Sequence, residues 1–226
     1  MATIKIVAIS DTHCKLHQVR VPNGHILVHC GDLTFRGAVD EIVPELDTMA
    51  KLPHKIKILI PGNHDGLAEH NPALFKQLCQ ERNITFLNHE PLTVLGIKFF
   101  GSGYSPEFCN WYLGYGRGGP AIRLWDQIPE DTEILLTHGP AMGILDGVKR
   151  YHVSVGICET EHVGCYDLMQ RIKQLPNLRY HISGHIHNAH GTEKHGKVTF
   201  INASNLNDSY QYAYPATVFG FTKKRK

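Results

Sequence analysis

The chain lacks any apolar run approaching the roughly 18 residues that suggest a membrane-spanning helix, and its opening MATIKIVAIS reads as a strand. A soluble protein is expected. Its six cysteines (Cys14, Cys30, Cys79, Cys109, Cys158 and Cys165) form no CxxC pair and follow no secretory leader, which disfavours a disulfide framework or a zinc finger. Reduced thiols in the cytoplasm are the simple reading. An excess of charge is also missing: 23 Lys and Arg stand against 21 Asp and Glu, so a net +2 draws the chain neither to nucleic acid nor to a membrane surface. An anionic substrate must therefore be held locally. There is no P-loop, and Ser10 beside Asp11 sits in no GxSxG context, which leaves serine-hydrolase chemistry without support. With no repeat, low-complexity tract or linker to divide its 226 residues, the chain reads as one domain over 1–226 with a solvated basic tail at 223–226.

Histidine is what the sequence has in excess, with 16 residues against 9 tyrosines and 9 phenylalanines. That directs attention to metal ligation or acid/base chemistry. Near-continuous apolar runs at Ile4–Ile9, Ile26–Val28, Ile56–Ile60, Ile97–Phe100, Ile134–Leu136, Tyr180–Ile182 and Val198–Ile201 suit strands covered on both faces. Helices are predicted over Pro72–Glu81, with Asn71 as N-cap and Pro72 at the first position, and over Tyr166–Leu175. Between Ala38 and Leu52 a helical stripe (Val39, Ile42, Leu46, Met49) is interrupted by Pro44, which should kink or restart the helix. Residues 101–119, rich in glycine and aromatics (Tyr104, Phe108, Trp111, Tyr112, Tyr115), read as a long loop that either serves the site or fills a small core of its own. The alternation of strands and helices, with a strand-rich second half, predicts an α/β fold of two packed β-sheets flanked by α-helices.

Five polar motifs each follow one of these apolar strands. Asp11 and His13 lie two apart after the first, where an extended backbone would aim both side chains to one side. Gly31-Asp32 follows the second, with glycine permitting close backbone approach. Gly62-Asn63-His64-Asp65 offers an amide oxygen, an imidazole and a carboxylate in succession. Thr137-His138-Gly139 and Gly184-His185-Ile186-His187 complete the set. Strand ends in layered α/β folds converge on one edge, so five such motifs can build one site from distant sequence.

Taken together, these motifs resemble the calcineurin-like metallophosphoesterase superfamily over residues 4 to about 205. Stretches such as Gly103-Tyr104-Ser105-Pro106, Asn110-Trp111, Leu135-Leu136-Thr137-His138-Gly139-Pro140 and Gly164-Cys165 are similar to its small metallophosphoesterase-domain-containing subgroup, akin to class III cyclic nucleotide phosphodiesterases. The resemblance implies a four-layer αββα sandwich. It also implies one ion on Asp11, His13 and His187, another on Asn63, His138 and His185, and Asp32 bridging them. Mn²⁺ is expected, with Fe or Zn²⁺ as alternatives. Two ions can lower the pKa of a bridging water and neutralise phosphate oxygens during in-line attack, making hydroxide the nucleophile. His64 is then a general acid or a donor to the transition state, with Asp65 orienting its imidazole.

Hydrolysis of small phosphodiesters, cyclic nucleotides among them, is the expected activity, on a small-molecule phosphoester and without stable nucleic-acid binding. A protein Ser/Thr phosphatase or phosphomonoesterase is the enzymatic alternative. A non-catalytic scaffold of the same fold is the third, disfavoured because His64 and the ligand set are intact. His190 is a candidate for the pocket rim. Arg117 and Arg150, in expected loops, are candidates to touch a substrate phosphate.

Overall fold

The computed structural model describes residues 3–152 and 157–223, so Lys224–Lys226 of the basic tail lie outside the described residues. In chain order the first half forms β1 (Thr3–Ile9), β2 (Ile26–Cys30), α1 (Val39–Ala50), β3 (Ile56–Ile60), α2 (Leu67–His70), α3 (Pro72–Gln80), β4 (Thr85–Phe86), β5 (Glu90–Val94) and β6 (Ile97–Ser102). There follow β7 (Ser105–Pro106), β8 (Gly114–Tyr115), α4 (Gly119–Trp125), β9 (Ile134–Thr137), β10 (Gly147–His152) and β11 (Ile157–His162). The chain continues through α5 (Tyr166–Gln174), β12 (Tyr180–Ser183), β13 (Gly191–His195), β14 (Val198–Asn202) and β15 (Thr217–Thr222).

Two sheets carry the fold, in the orders β15-β1-β2-β3-β4 and β13-β14-β12-β9-β6-β5. Inner neighbours are parallel, while β15, β13 and β5 close the edges antiparallel. The parallel strands are the apolar runs of the sequence, because a strand buried on both faces cannot alternate with polar residues. Between the sheets pack Ile6, Ala8, Val28, Ile58 and Ile60 from one side and Phe99, Ile134, Leu136, Ile182 and Ile201 from the other. α1 and α3 cover the outer face of the first sheet through Ile42, Leu46, Met49 and Phe75. α4 and α5 cover the second through Trp125, Leu168 and Ile172. The order of layers is α, β, β, α.

Pro44 does not restart α1, which runs unbroken from Val39 to Ala50 with the proline inside it. Losing one backbone donor costs less than exposing the face on which Ile42, Leu46 and Met49 are fully buried. Residues 101–119 are also more ordered than a loop. Gly101 and Ser102 end β6, β7 and β8 pair in parallel, and Gly119 opens α4.

Candidate metal centre

Parallel strands β1, β2 and β3 deliver their carboxyl ends to one edge, where β9 and β12 of the other sheet arrive as well. The two sheets are stitched there by His138 Nδ1, which donates to the Cys30 carbonyl at 2.9 Å. Asp11, His13, Asp32, Asn63, His64, His138, His185 and His187 all gather at this edge. Ligand-capable atoms of Asp11, His13 and His187 lie within 4.8 Å of one another, as do those of Asp32, His138 and His185. Asn63 joins the second group, its Oδ1 2.9 Å from His138 Nε2. Asp32 Oδ2 stands between the groups, 3.7 Å from His13 Nε2 and 3.3 Å from His138 Nε2.

Strand alternation does not aim these side chains. Asp11, His13, Asp32 and His185 have φ of +54°, +39°, +54° and +68°, so the chain turns through the left-handed region at the site rather than running on extended. Four non-glycine residues in that region mark strain held by the surrounding structure. Glycine supplies the clearance. A Cβ on Gly62 would lie 2.2 Å from Asp32 Oδ1, and one on Gly184 2.2 Å from Asp11 Oδ2. The carboxylates are also held from outside: Asp32 Oδ1 accepts the His64 amide at 2.8 Å, and Asp11 accepts the His185 amide at 3.0 Å and the Ser204 hydroxyl at 2.7 Å.

The donor set fits cations. Nδ1 of His13, His64, His138 and His187 faces the backbone carbonyls of Thr34, Phe35, Cys30 and Asn207 at 3.1, 2.7, 2.9 and 3.0 Å. A carbonyl cannot donate, so each Nδ1 carries a proton and each Nε2 faces inward as the atom open to a second proton or, at His13, His138 and His187, to a cation. His13 Nε2 and His187 Nε2 face each other at 3.2 Å, an arrangement that calls for a proton or a metal cation between them. The buried charges respond accordingly. Burial would raise Asp11 and Asp32, but His187 and His138 respectively outweigh it and hold both carboxyls well below their usual range. Burial would lower His138 and His187, but Asp32 and Asp11 push them up to about 9. His13 and His185 are instead depressed by burial to about 4.

His64 stands apart from the two groups, although its ring nitrogen comes within 4.8 Å of ligand atoms on His13 and Asp32. Asp65 does not orient its imidazole. The Asp65 carboxylate is buried behind the site and accepts from Leu33 N, Thr34 N, Thr34 Oγ1 and Gly62 N at 3.2, 3.0, 2.7 and 2.9 Å. Four backbone and hydroxyl donors outcompete one imidazole, whose Nδ1 has the Phe35 carbonyl instead. Burial and the charge of Asp32 push Asp65 up to about 6.

His190 does not reach into the site, since its Nδ1 donates to the Ser204 carbonyl at 2.8 Å and its ring stacks on Tyr214. Arg117 donates to the Gly164 and Val163 carbonyls at 2.7 and 2.6 Å, and Arg150, which lies in β10 rather than a loop, pairs with Glu161 at 2.5 Å. Residues 204–210 were not foreseen as part of the site. Ser204 holds Asp11, the Asn207 carbonyl holds His187, and the Tyr210 ring packs edge-on against His13 and His187 at 4.9 and 5.4 Å. Of these contacts the one to His187 is made by a main-chain atom, which leaves no motif.

A histidine and aspartate cluster at the carboxyl ends of two face-to-face mixed sheets defines a class, and the chain belongs to the calcineurin-like phosphoesterase family, whose profile matches residues 4–189. Among particular relatives, it is 33% identical over 235 residues to UPF0046 protein K07C11.7 of Caenorhabditis elegans, spanning 98% of this chain and 76% of that one. It is 29% identical over 242 residues to the Homo sapiens metallophosphoesterase domain-containing protein 1, spanning 98% and 72%. The solved structure of TT1561 of Thermus thermophilus shares the fold, with a TM-score of 0.59 and 13% identity across 89% of each chain. Residues 204–210 lie beyond the stretch that the family profile matches.

Proposed function

We propose that the protein is a metal-dependent phosphodiesterase acting on small phosphodiesters, cyclic nucleotides among them. Asp11, His13 and His187 would hold one divalent ion and Asn63, His138 and His185 the other, with Asp32 shared. The position of Asp32 Oδ2 between two imidazole nitrogens carries this reading. Mn²⁺ is the first choice, with Fe or Zn²⁺ as alternatives for an oxygen and imidazole set without thiolate. When bound, the ions supply water activation and charge neutralisation at phosphorus.

The chain's own residues do the rest. Backbone carbonyls fix His13, His138 and His187, so these nitrogens need no reorganisation as charge develops, and a fourth carbonyl fixes His64. His64, held at Nδ1, presents Nε2 to the reacting group and donates to the leaving oxygen or to the phosphoryl oxygens. A diester suits the local charge: the pocket bordered by Asp32, Asn63, His64, Phe108, Trp111, His185, His187, Asp208 and Tyr210 contains no Lys or Arg among the described residues, and of the cations bordering the adjoining cavity Arg117 is bonded to the Val163 and Gly164 carbonyls, Lys149 to Thr160 and Arg150 to Glu161. A monoester dianion would gain more from such a clamp. A cytoplasmic setting belongs to the same proposal, and the six free cysteines are compatible with it. Among the described residues no helix is long and apolar enough to cross a membrane.

Bis-aryl and mono-aryl phosphates with the same leaving group, compared at saturating Mn²⁺ beside a phosphoserine peptide, test the proposal. Higher kcat/KM for the diester is expected. A consistent preference for the monoester or the peptide replaces this reading with the phosphatase alternative.

A further inference from the structure

Two cavities meet at the ligand cluster. The smaller, of about 210 Å³, is the pocket that holds His64, Trp111 and Tyr210. The larger, of about 430 Å³, runs from the cluster past Pro106 and Pro140 to the β10–β11 ribbon, where Val148, Arg150 and Glu161 border it. Phe108, His185, His187 and Asp208 border both. A phosphorus atom held at His185 and His187 therefore has space on two sides, and the larger space falls within the size range of small-molecule sites.

We infer that the larger cavity is a subsite for the second ester group, and that the preferred substrates are open-chain phosphodiesters with an organic group on each side of phosphorus. This rests on the phosphodiesterase reading and narrows it. A monoester has nothing to place in the second cavity, and a cyclic diester ties both ester oxygens into one ring system and leaves one cavity empty. The wall is chemically mixed. Val148, Val163, Pro106 and Pro140 offer an apolar surface, while the Arg117 guanidinium is fixed on the Val163 and Gly164 carbonyls and the Arg150 Nε on Glu161. Arginine donors beside apolar contacts suit a group with one apolar face and several oxygen acceptors, such as a sugar or nucleoside. In the reaction, water adds to phosphorus and one P–O ester bond breaks. The leaving oxygen takes a proton, giving an alcohol, and the retained group stays on the monoester product in the second cavity.

The full-length, Mn²⁺-loaded protein is tested on diesters sharing a 4-nitrophenyl leaving group, one with a methyl and one with a nucleoside second group. 4-Nitrophenyl phosphate and a 3′,5′-cyclic nucleotide are run alongside. The nucleoside diester should exceed the methyl diester by about 10-fold or more in kcat/KM, mainly through KM. V148W, which fills the cavity from the ribbon, should bring that ratio close to one at unchanged metal content. R150A, at an exposed position, should lower it in the same direction and serves where V148W fails to fold. A ratio near one in the wild type, a ratio that neither folded variant moves, or a preference for the cyclic nucleotide overturns the inference while diester hydrolysis stands. Faster turnover of 4-nitrophenyl phosphate than of every diester overturns the phosphodiesterase reading itself.

Discussion

The His64 ring lies 4.0 Å from that of Trp111, tilted by 32°, while its Nδ1 is bonded to the Phe35 carbonyl at 2.7 Å. One contact fixes the plane and the other the direction, so Nε2 has one orientation toward the cluster. Trp111 comes from the aromatic segment before β8 and still exposes 39% of its surface. It is a positioning residue for His64.

His64→Ala should retain both metals and lose about 10²–10⁴-fold in kcat, the range for removing one proton donor or transition-state contact. Trp111→Ala should cost less, about 3–10-fold in kcat, because it loosens an imidazole that the Phe35 carbonyl still holds. Trp111→Phe should recover most of that loss if stacking is the cause. Elemental analysis beside kinetics decides the matter: metal loss in His64→Ala with normal turnover per loaded site would make His64 a ligand.

Asp32→Asn should reduce metal occupancy more than Asn63→Ala. Removing the charge between His13 Nε2 and His138 Nε2 weakens both ion sites, whereas Asn63 contacts only the His138 side. A drop of about 10–100-fold in affinity is expected for Asp32→Asn. Equal stoichiometry in the two variants would remove Asp32 from the bridging position.

Asp65→Ala should damage the fold before it damages chemistry. Its carboxylate accepts from Leu33, Thr34 and Gly62 and so ties the loop after β2 to the loop after β3. Leaving those buried donors unpaired should cost about 2–4 kcal/mol, read as a lower urea midpoint at unchanged slope. An Asp65→Ala protein with wild-type stability and a specific loss of kcat would restore a direct role toward His64.

The contrast between Asp65 and the clustered histidines and aspartates shows what is legible. That Asp11, His13, Asp32, Asn63, His138, His185 and His187 gather at one edge is legible because parallel strands bring the residues that follow them to the same end. Strand interiors were equally plain: Ile56–Ile60 was foreseen to the residue, and Pro72–Glu81 differs from α3 by one. Asp65 was misjudged because adjacency to His64 in sequence says nothing about which donors a buried carboxylate meets. The path to convergence was also misread, since the DxH and HxH spacing implied extended backbone where Asp11, His13 and His185 turn through positive φ. β5, β13 and β15 went unmarked because edge strands with exposed positions lack the continuous apolar run. Residues 204–210 carry no motif: one contact is the Asn207 carbonyl, and the Ser204 hydroxyl and Tyr210 ring reach the cluster from a segment with no apolar strand pattern.

The last prediction concerns metal removal and pH. In the metal-free protein burial opposes the charged forms of His138 and His187, but Asp32 and Asp11 prevail and raise both to about 9. A folded-state value above the unfolded 6.5 gives stability that is fully present below pH 6.5 and is lost as pH rises through about 9. The metal-free protein should therefore lose thermal stability across that window. Metal needs the same Nε2 lone pairs unprotonated, so loading at neutral pH must displace about two protons, and apparent affinity should climb as pH rises toward 9. The two trends have opposite sign, so the rise in Tm on adding Mn²⁺ should widen between pH 6.5 and 9. Titration calorimetry in buffers of different ionisation heat counts the released protons, and melting curves with and without Mn²⁺ give the second reading. No proton release at pH 7, together with a pH-independent shift in Tm, would mean that His138 and His187 are already neutral without metal and that the carboxylates do not control their charge.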